Sequence, residues 1–332
     1  MSLPAETPLV LAVPSKGRLQ ENSASFFARA GLELAQARGA RDYRGVVANV
    51  PGVDVLFLSA SEIVGQLASG AAHLGVTGED LVREHIADAD RRLVLLAPLG
   101  FGGANVVVAA PQAWIDVRRM ADLEDVAASF HARRGERMRV ATKYVNLTRR
   151  FFAEKGVADY RIVESLGATE GAPAAGAAEL IVDITTTGAT LAANGLKMLE
   201  DGVILRSQAN LIASLAAPWG PAQRERARAM LMRIAAAEQA RELRELRARL
   251  PAKVRRLAES ALARFDARPA FEDADAPGRI VLHAPKHRVA DLAAWLLDQG
   301  ATRVSVSALD LVFDARNALY EALEARLGAA RR

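Results

Sequence analysis

An aspartate sits inside an apolar run, and a threonine-rich turn follows it: Leu180-Ile181-Val182-Asp183-Ile184, then Thr185-Thr186-Thr187-Gly188-Ala189-Thr190. The run predicts a buried strand, and the pattern from Thr190 onward is helical. Such a turn aims amide hydrogens and hydroxyls at one point, with the positive end of a helix behind them, and a phosphate monoester fits there. Asp183 repels phosphate, so it suits sugar hydroxyls or a metal, because a buried carboxylate needs a partner. Phosphate beside ribose suggests a phosphoribosyl group. A Thr-Gly turn can also be no more than a helix cap.

Five further turns could join it. Ser15-Lys16-Gly17-Arg18 places two cations around a glycine directly after the first strand, at the sheet end where α/β folds bind ligands. Thr77-Gly78-Glu79-Asp80 begins a helix, where its acids complement the dipole; capping alone also accounts for them. Thr142-Lys143-Tyr144 is another strand-to-helix turn, with a lysine able to neutralise phosphate. Gly167 to Pro173 carries Glu170, a second acid that could join Asp183 in holding ribose hydroxyls and Mg²⁺. Phe101-Gly102-Gly103 lets the backbone approach a ligand or cross between lobes, and it lacks a dinucleotide fingerprint.

These turns need elements to position them. From Pro8 to about Ser214, short apolar strands alternate with helical patterns, which predicts an α/β fold with mainly parallel sheets. Two lobes are expected: residues 1–103, completed by about 195–217, and 104–194 with the phosphate turn. A cleft between them is a favoured ligand site. Ser61 is the expected cap of a helix from Glu62. Residues 221–278 read as an arginine-rich helical segment, divided at Pro251, followed by a linker. Residues 279–332 read as a small βαβ-like α/β unit with a terminal helix. No internal repeat is visible.

Composition excludes several classes. The 332 residues are 51% hydrophobic and 25% charged, with a net charge of +4, an ordinary globular balance. No cysteine is present, which removes disulfides and thiolate metal sites and suits a reducing compartment. The start lacks a basic n-region, and no apolar run is long enough to span a bilayer, so a cytoplasmic location and no membrane partner are expected. His283 and His287 straddle Pro285 and cannot share a helix face. Glutamates interleave the arginines of the helical segment, so no nucleic-acid partner is expected.

Taken in order, PSKGRL (Pro14 to Leu19), HLGVTGEDLV (His73 to Val82), FGGANVVVA (Phe101 to Ala109), ATKYVNLTRRFF (Ala141 to Phe152), ESLGATEGAP (Glu164 to Pro173) and VDITTTGATLAANGL (Val182 to Leu196) resemble the ATP phosphoribosyltransferase family. The resemblance implies a two-lobed core like a type II periplasmic binding protein, with the active site between the lobes. It implies a pentosyltransferase that joins ATP to 5-phosphoribosyl 1-diphosphate with Mg²⁺, as the first step of histidine biosynthesis. Thr185, Thr186, Thr187, Gly188, Ala189 and Thr190 would hold the 5′-phosphate. Asp183 and Glu170 would hold the ribose hydroxyls, and Lys16 and Arg18 would meet diphosphate and nucleotide phosphates. Gly17, Gly78, Glu79, Lys143 and Tyr144 complete the expected substrate contacts. His73 departs from the family, where an acid is usual.

Long family members carry a C-terminal domain that binds histidine and form hexamers. Short ones pair with a regulatory subunit related to histidyl-tRNA synthetase. A homo-oligomer, dimer or hexamer, is therefore expected, with such a subunit as the alternative regulator. The competing functional reading is a two-lobed binding or sensor protein without catalysis. A binding protein would be expected to carry an export signal, and a sensor a helix-turn-helix ahead of the lobes.

Overall fold

The computed structural model describes residues 7–36, 43–251, 254–271 and 278–329. In chain order the first lobe contains β1 (Leu9–Pro14), α1 (Gly17–Arg29), β2 (Leu34–Gln36), β3 (Arg44–Val47), β4 (Val53–Leu58), α2 (Ala60–Ser69), β5 (Leu74–Gly78), α3 (Glu79–His85), α4 (Ala89–Arg92) and β6 (Leu93–Pro98). The second contains β7 (Asn105–Pro111), α5 (Met120–Arg134), β8 (Met138–Thr142), α6 (Val145–Glu154), β9 (Tyr160–Glu164), β10 (Leu180–Thr185), α7 (Ala189–Ala193) and β11 (Leu196–Leu205). The chain then returns through β12 (Ala209–Ser214) and α8 (Pro221–Glu242). A third unit holds β13 (Leu243–Arg249), α9 (Val254–Phe265), β14 (Arg268–Pro269), β15 (Arg279–Pro285), α10 (Val289–Asp298) and β16 (Val304–Ala308), and α11 (Ala318–Ala329) follows it.

The first sheet runs β2-β3-β4-β1-β5-β12-β6 and the second β11-β7-β10-β8-β9. Each contains the same five-strand pattern, in which one antiparallel strand supplied by a lobe crossing sits beside parallel neighbours: β12 between β5 and β6, β7 between β10 and β11. This is the two-lobed, type II periplasmic-binding-protein-like core. The lobes repeat in topology although the sequence shows no repeat. The two crossing segments pair with each other, Ala104 N–H donating to Ser207 O (3.0 Å) and Ala209 N–H to Phe101 O (3.0 Å).

Both sheets are covered on two faces, so their strands read as nearly unbroken apolar runs. In the first lobe Phe26 and Phe27 of α1, Met230 and Leu231 of α8, and Leu323 and Leu327 of α11 pack on one face, with Ile63, Val64 and Leu67 of α2 on the other. Each fully buried leucine or phenylalanine contributes about 1.5–3 kcal/mol. Helix α2 begins at a reciprocal capping box: Ser59 Oγ accepts from the Glu62 amide, and Glu62 accepts from the Ser59 amide at 2.8 Å. The cap is Ser59, two residues ahead of the expected Ser61.

The C-terminal third departs from expectation. Leu243–Arg249, expected to be helical, is a strand whose Leu246 and Ala248 point into a core while Arg247 and Arg249 face out. Leucines at 243, 246 and 250 satisfy helical spacing, while only Leu246 and Leu250 fall on this period-two pattern, which is why the segment misleads. The resulting sheet, β14-β15-β13-β16, is antiparallel throughout, and the order β-α-β-β-α-β makes it ferredoxin-like. This unit therefore begins at Leu243, not at residue 279. From β16 the chain turns back: Val312 N–H bonds Ala236 O (3.1 Å), Gln239 bonds Asp314 (2.9 Å), and Arg224 pairs with Glu324 (2.5 Å). The last helix thereby joins the core of the first lobe.

Candidate active site

Strand β10 carries Asp183 to the edge of a cleft beside the first crossing segment. Leu180, Ile181 and Val182 are buried between β7 and β8, so the strand end is held firmly where the chain leaves the sheet. Gly188, at φ +79°, then reverses the chain in a conformation open to glycine, and α7 starts at Ala189. Its single turn is shorter than the sequence suggests, since Gly195 at φ +69° sends the chain into β11.

Glu170, Asp183, Thr185, Thr186, Thr187 and Thr190 line one cleft of about 350 Å³ together with Gly103 and Ala104. The loop braces itself with its own hydroxyls. Gly188 N–H donates to Thr185 Oγ1 at 2.8 Å, and Ala189 N–H reaches Thr187 Oγ1 at 3.4 Å. Thr186 Oγ1 donates to Gly103 O at 3.0 Å, tying the loop to the first crossing segment. Thr186, Thr187, Ala189 and Thr190 are exposed, and the opening amides of a helix have no carbonyl four residues back to bond.

Asp183 is half-buried, and burial pushes its carboxyl above the ordinary aspartate range; nearby Glu170 adds to this, while the Ile184 amide (2.8 Å) and Lys143 oppose it. A carboxyl whose proton affinity is raised by burial and by a neighbouring acid is suited to hydroxyl donors or a cation. Lys143 follows Thr142, which pairs with Val182, so the lysine and Asp183 stand at adjacent strand ends.

The remaining expected residues lie elsewhere. Lys16, Gly17 and Arg18 form the exposed turn after β1, at the corresponding end of the first sheet and outside the cleft lining. Glu79 is ion-paired with Arg83 at 2.6 Å. A Cβ on Gly78 would collide with the Asp80 carboxylate, so this glycine makes room for Asp80. Tyr144 is 1% exposed, and its hydroxyl donates to Asp80 Oδ2 at 2.7 Å; burial first, then the Asp80 charge, push the phenol well above its ordinary pKa. Asp80, Glu84 and Ser207 form a buried polar group the sequence did not single out as a unit; the only hint is the four-residue spacing that puts both acids on one face of α3. His73 is structural: buried, it accepts from Val10 N–H on Nδ1 (3.1 Å), packs edge-on against Trp219, and burial lowers its pKa.

A two-lobed α/β core with an acid pair beside a hydroxyl-rich turn is compatible with a pentosyltransferase. The family model described as ATP phosphoribosyltransferase matches residues 59–236. An ATP phosphoribosyltransferase of Nitrobacter winogradskyi is 61% identical over 318 residues, 96% of this chain and 98% of that protein. One of Bradyrhizobium diazoefficiens is 61% identical over 320 residues, again 96% and 98%. A solved chain of the HisG:HisZ ATP phosphoribosyl transferase complex from Thermotoga maritima superposes with a TM-score of 0.52 at 25% identity, covering 68% of this chain and 95% of that one. The chain belongs to the ATP phosphoribosyltransferase family, the glycosyltransferases of the first step of histidine biosynthesis.

Proposed function

We propose that this chain transfers the 5-phosphoribosyl group of 5-phosphoribosyl 1-diphosphate to N1 of ATP, with the roles divided between the lobes. The observation that carries the proposal is the shared cleft of Asp183, Glu170 and the Thr185–Thr190 loop. The loop binds the 5′-phosphate through hydroxyls and helix-start amides. Asp183 and Glu170 accept hydrogen bonds from the ribose hydroxyls and, as anions, stabilise positive charge on the sugar as its bond to diphosphate breaks. Lys16 and Arg18, on the first lobe, face diphosphate and nucleotide phosphates. The C1–O bond breaks with its electron pair leaving on diphosphate, and the adenine N1 lone pair forms the new C1–N bond. N1 carries no proton, so no strong general base is needed and catalysis rests on positioning and electrostatics.

Mg²⁺ fits this donor set. The described residues hold no cluster of three metal-ligating side chains, so the protein offers at most the Asp183 and Glu170 carboxylates, and substrate phosphates and water supply the rest. Bound there, Mg²⁺ would neutralise charge on the departing diphosphate.

The ferredoxin-like unit supports regulation by this chain's own C-terminal domain, with histidine as effector and a dimer or hexamer as the assembly. A regulatory subunit of the HisZ kind is the alternative, and the Thermotoga maritima complex is what favours it. Among the described residues no helix is long and apolar enough to cross a membrane, in keeping with a cytoplasmic enzyme.

Incubating the purified chain with ATP, 5-phosphoribosyl 1-diphosphate and Mg²⁺ should produce phosphoribosyl-ATP absorbance that requires both substrates. Ligand binding in the cleft without product would favour the sensor reading instead.

A further inference from the structure

The turn that carries Lys143 is anchored on the opposite lobe. Thr142 and Tyr144 on either side of it are 0% and 1% exposed, while Lys143 itself is exposed. Tyr144 donates to Asp80 Oδ2 (2.7 Å), Ser207 donates to Asp80 Oδ1 (2.9 Å), and the Asp80 amide donates back to Ser207 Oγ (2.9 Å). One turn further along α3, Glu84 caps the start of α6, its two oxygens accepting from the Asn146 and Leu147 amides at 2.9 Å each. Asn146 also donates to the Glu84 carbonyl (3.0 Å). Helix α3 belongs to the first lobe, α6 to the second, and Ser207 to the returning crossing segment.

A seam made to hold two lobes together could be wholly apolar, and burying two carboxylates is costly unless every lone pair is met. Directional bonds do what an apolar seam cannot: they fix angle and register as well as contact. Lys143 is the exposed residue of this anchored turn, beside the strand end that carries Asp183.

We propose that Tyr144 is a positioning residue of the transfer reaction: held on Asp80, which Ser207 braces in turn, it locks the angle between the lobes and holds Lys143 beside Asp183, so that a nucleophile carried by the first lobe meets a sugar carried by the second. The proposal rests on the functional reading above. It assigns Tyr144 no contact with substrate, in place of the contact expected from sequence.

The test uses Tyr144→Phe and Ser207→Ala in the full chain. Each should lower kcat at least about tenfold while leaving KM for 5-phosphoribosyl 1-diphosphate within about twofold, because the phosphoribosyl half of that substrate is gripped by the second lobe. A loss confined to KM would make Tyr144 a substrate ligand, and an unchanged kcat in both variants would remove the positioning role. Should Tyr144→Phe fail to fold, Ser207→Ala carries the comparison alone.

A second readout is independent of activity. The chain contains no cysteine, so Ser69→Cys and Ser129→Cys together accept one spin label on each lobe. Their separation should give one narrow distribution in the otherwise native chain and a broadened one with Tyr144→Phe. Identical distributions would overturn the lock. A native chain without transferase activity would overturn the functional reading and leave this distance measurement to decide on the lock.

Discussion

The two lobes place the same topological feature in opposite service. In each, a central parallel strand next to the antiparallel crossing strand ends near an acid: β5 leads into Asp80, β10 into Asp183. Asp80 is 5% exposed and its oxygens are taken by Tyr144 and Ser207. Asp183 is half-buried and opens on a cleft lined by threonines. The first turns differ likewise. Lys16 stands on an exposed turn, whereas Lys143 stands on one pinned by buried neighbours on both sides. An acid at a strand end is therefore no marker of a ligand site by itself. What distinguishes the two is whether the protein has already supplied the hydrogen bonds.

The sharpest way to break this contrast is to remove each acid and watch stability. Asp80→Ala strands the Tyr144 and Ser207 hydroxyls in a buried seam, which should cost about 3 kcal/mol and appear as a clear drop in the urea midpoint. Equal tolerance of Asp80→Ala and Asp183→Asn would erase the distinction. Asp183→Asn should instead weaken 5-phosphoribosyl 1-diphosphate binding by about 2 kcal/mol, roughly thirtyfold, measured calorimetrically.

Its stability should respond in the opposite sense. The folded state binds the Asp183 proton more tightly than the unfolded chain, because burial raises its pKa above the ordinary aspartate range. Ionised Asp183 thus costs stability at neutral pH, and that cost fades as the pH falls through the raised pKa toward the unfolded value. Asp183→Asn should accordingly melt higher than the native chain near neutral pH, with the curves converging in acid. The smallest effect belongs to one hydroxyl of the loop: Thr187→Val should weaken the same binding by about 1 kcal/mol, roughly fivefold, with melting unchanged.

What could be read from the sequence was local. Strand, turn and helix at residues 180–190 follow from an apolar run, a small-residue turn and a glycine, all within ten positions. The interlobe seam was hidden because Asp80 and Tyr144 are 64 positions apart, and nothing in either neighbourhood names the other. The sequence also could not show that Glu79 pairs with Arg83 or that Gly78 clears space for Asp80. The ferredoxin-like unit was half visible. Its second half, β15 to β16, alternates cleanly, but β13 follows the 22-residue helix α8 without a break and repeats its arginine–glutamate texture. Composition could not separate them; only pairing with β15 and β16 does.

Because α8 and α11 lie in the core of the first lobe, that core draws on residues from Leu9 to Leu327, whereas the second sheet is made from the unbroken stretch 105–205. On a ribosome the second lobe can finish while synthesis continues. The first must keep its apolar strands unsatisfied until Leu327 has been added, so the lobe begun before the second is completed after it, and its strands are exposed to chaperones for longer.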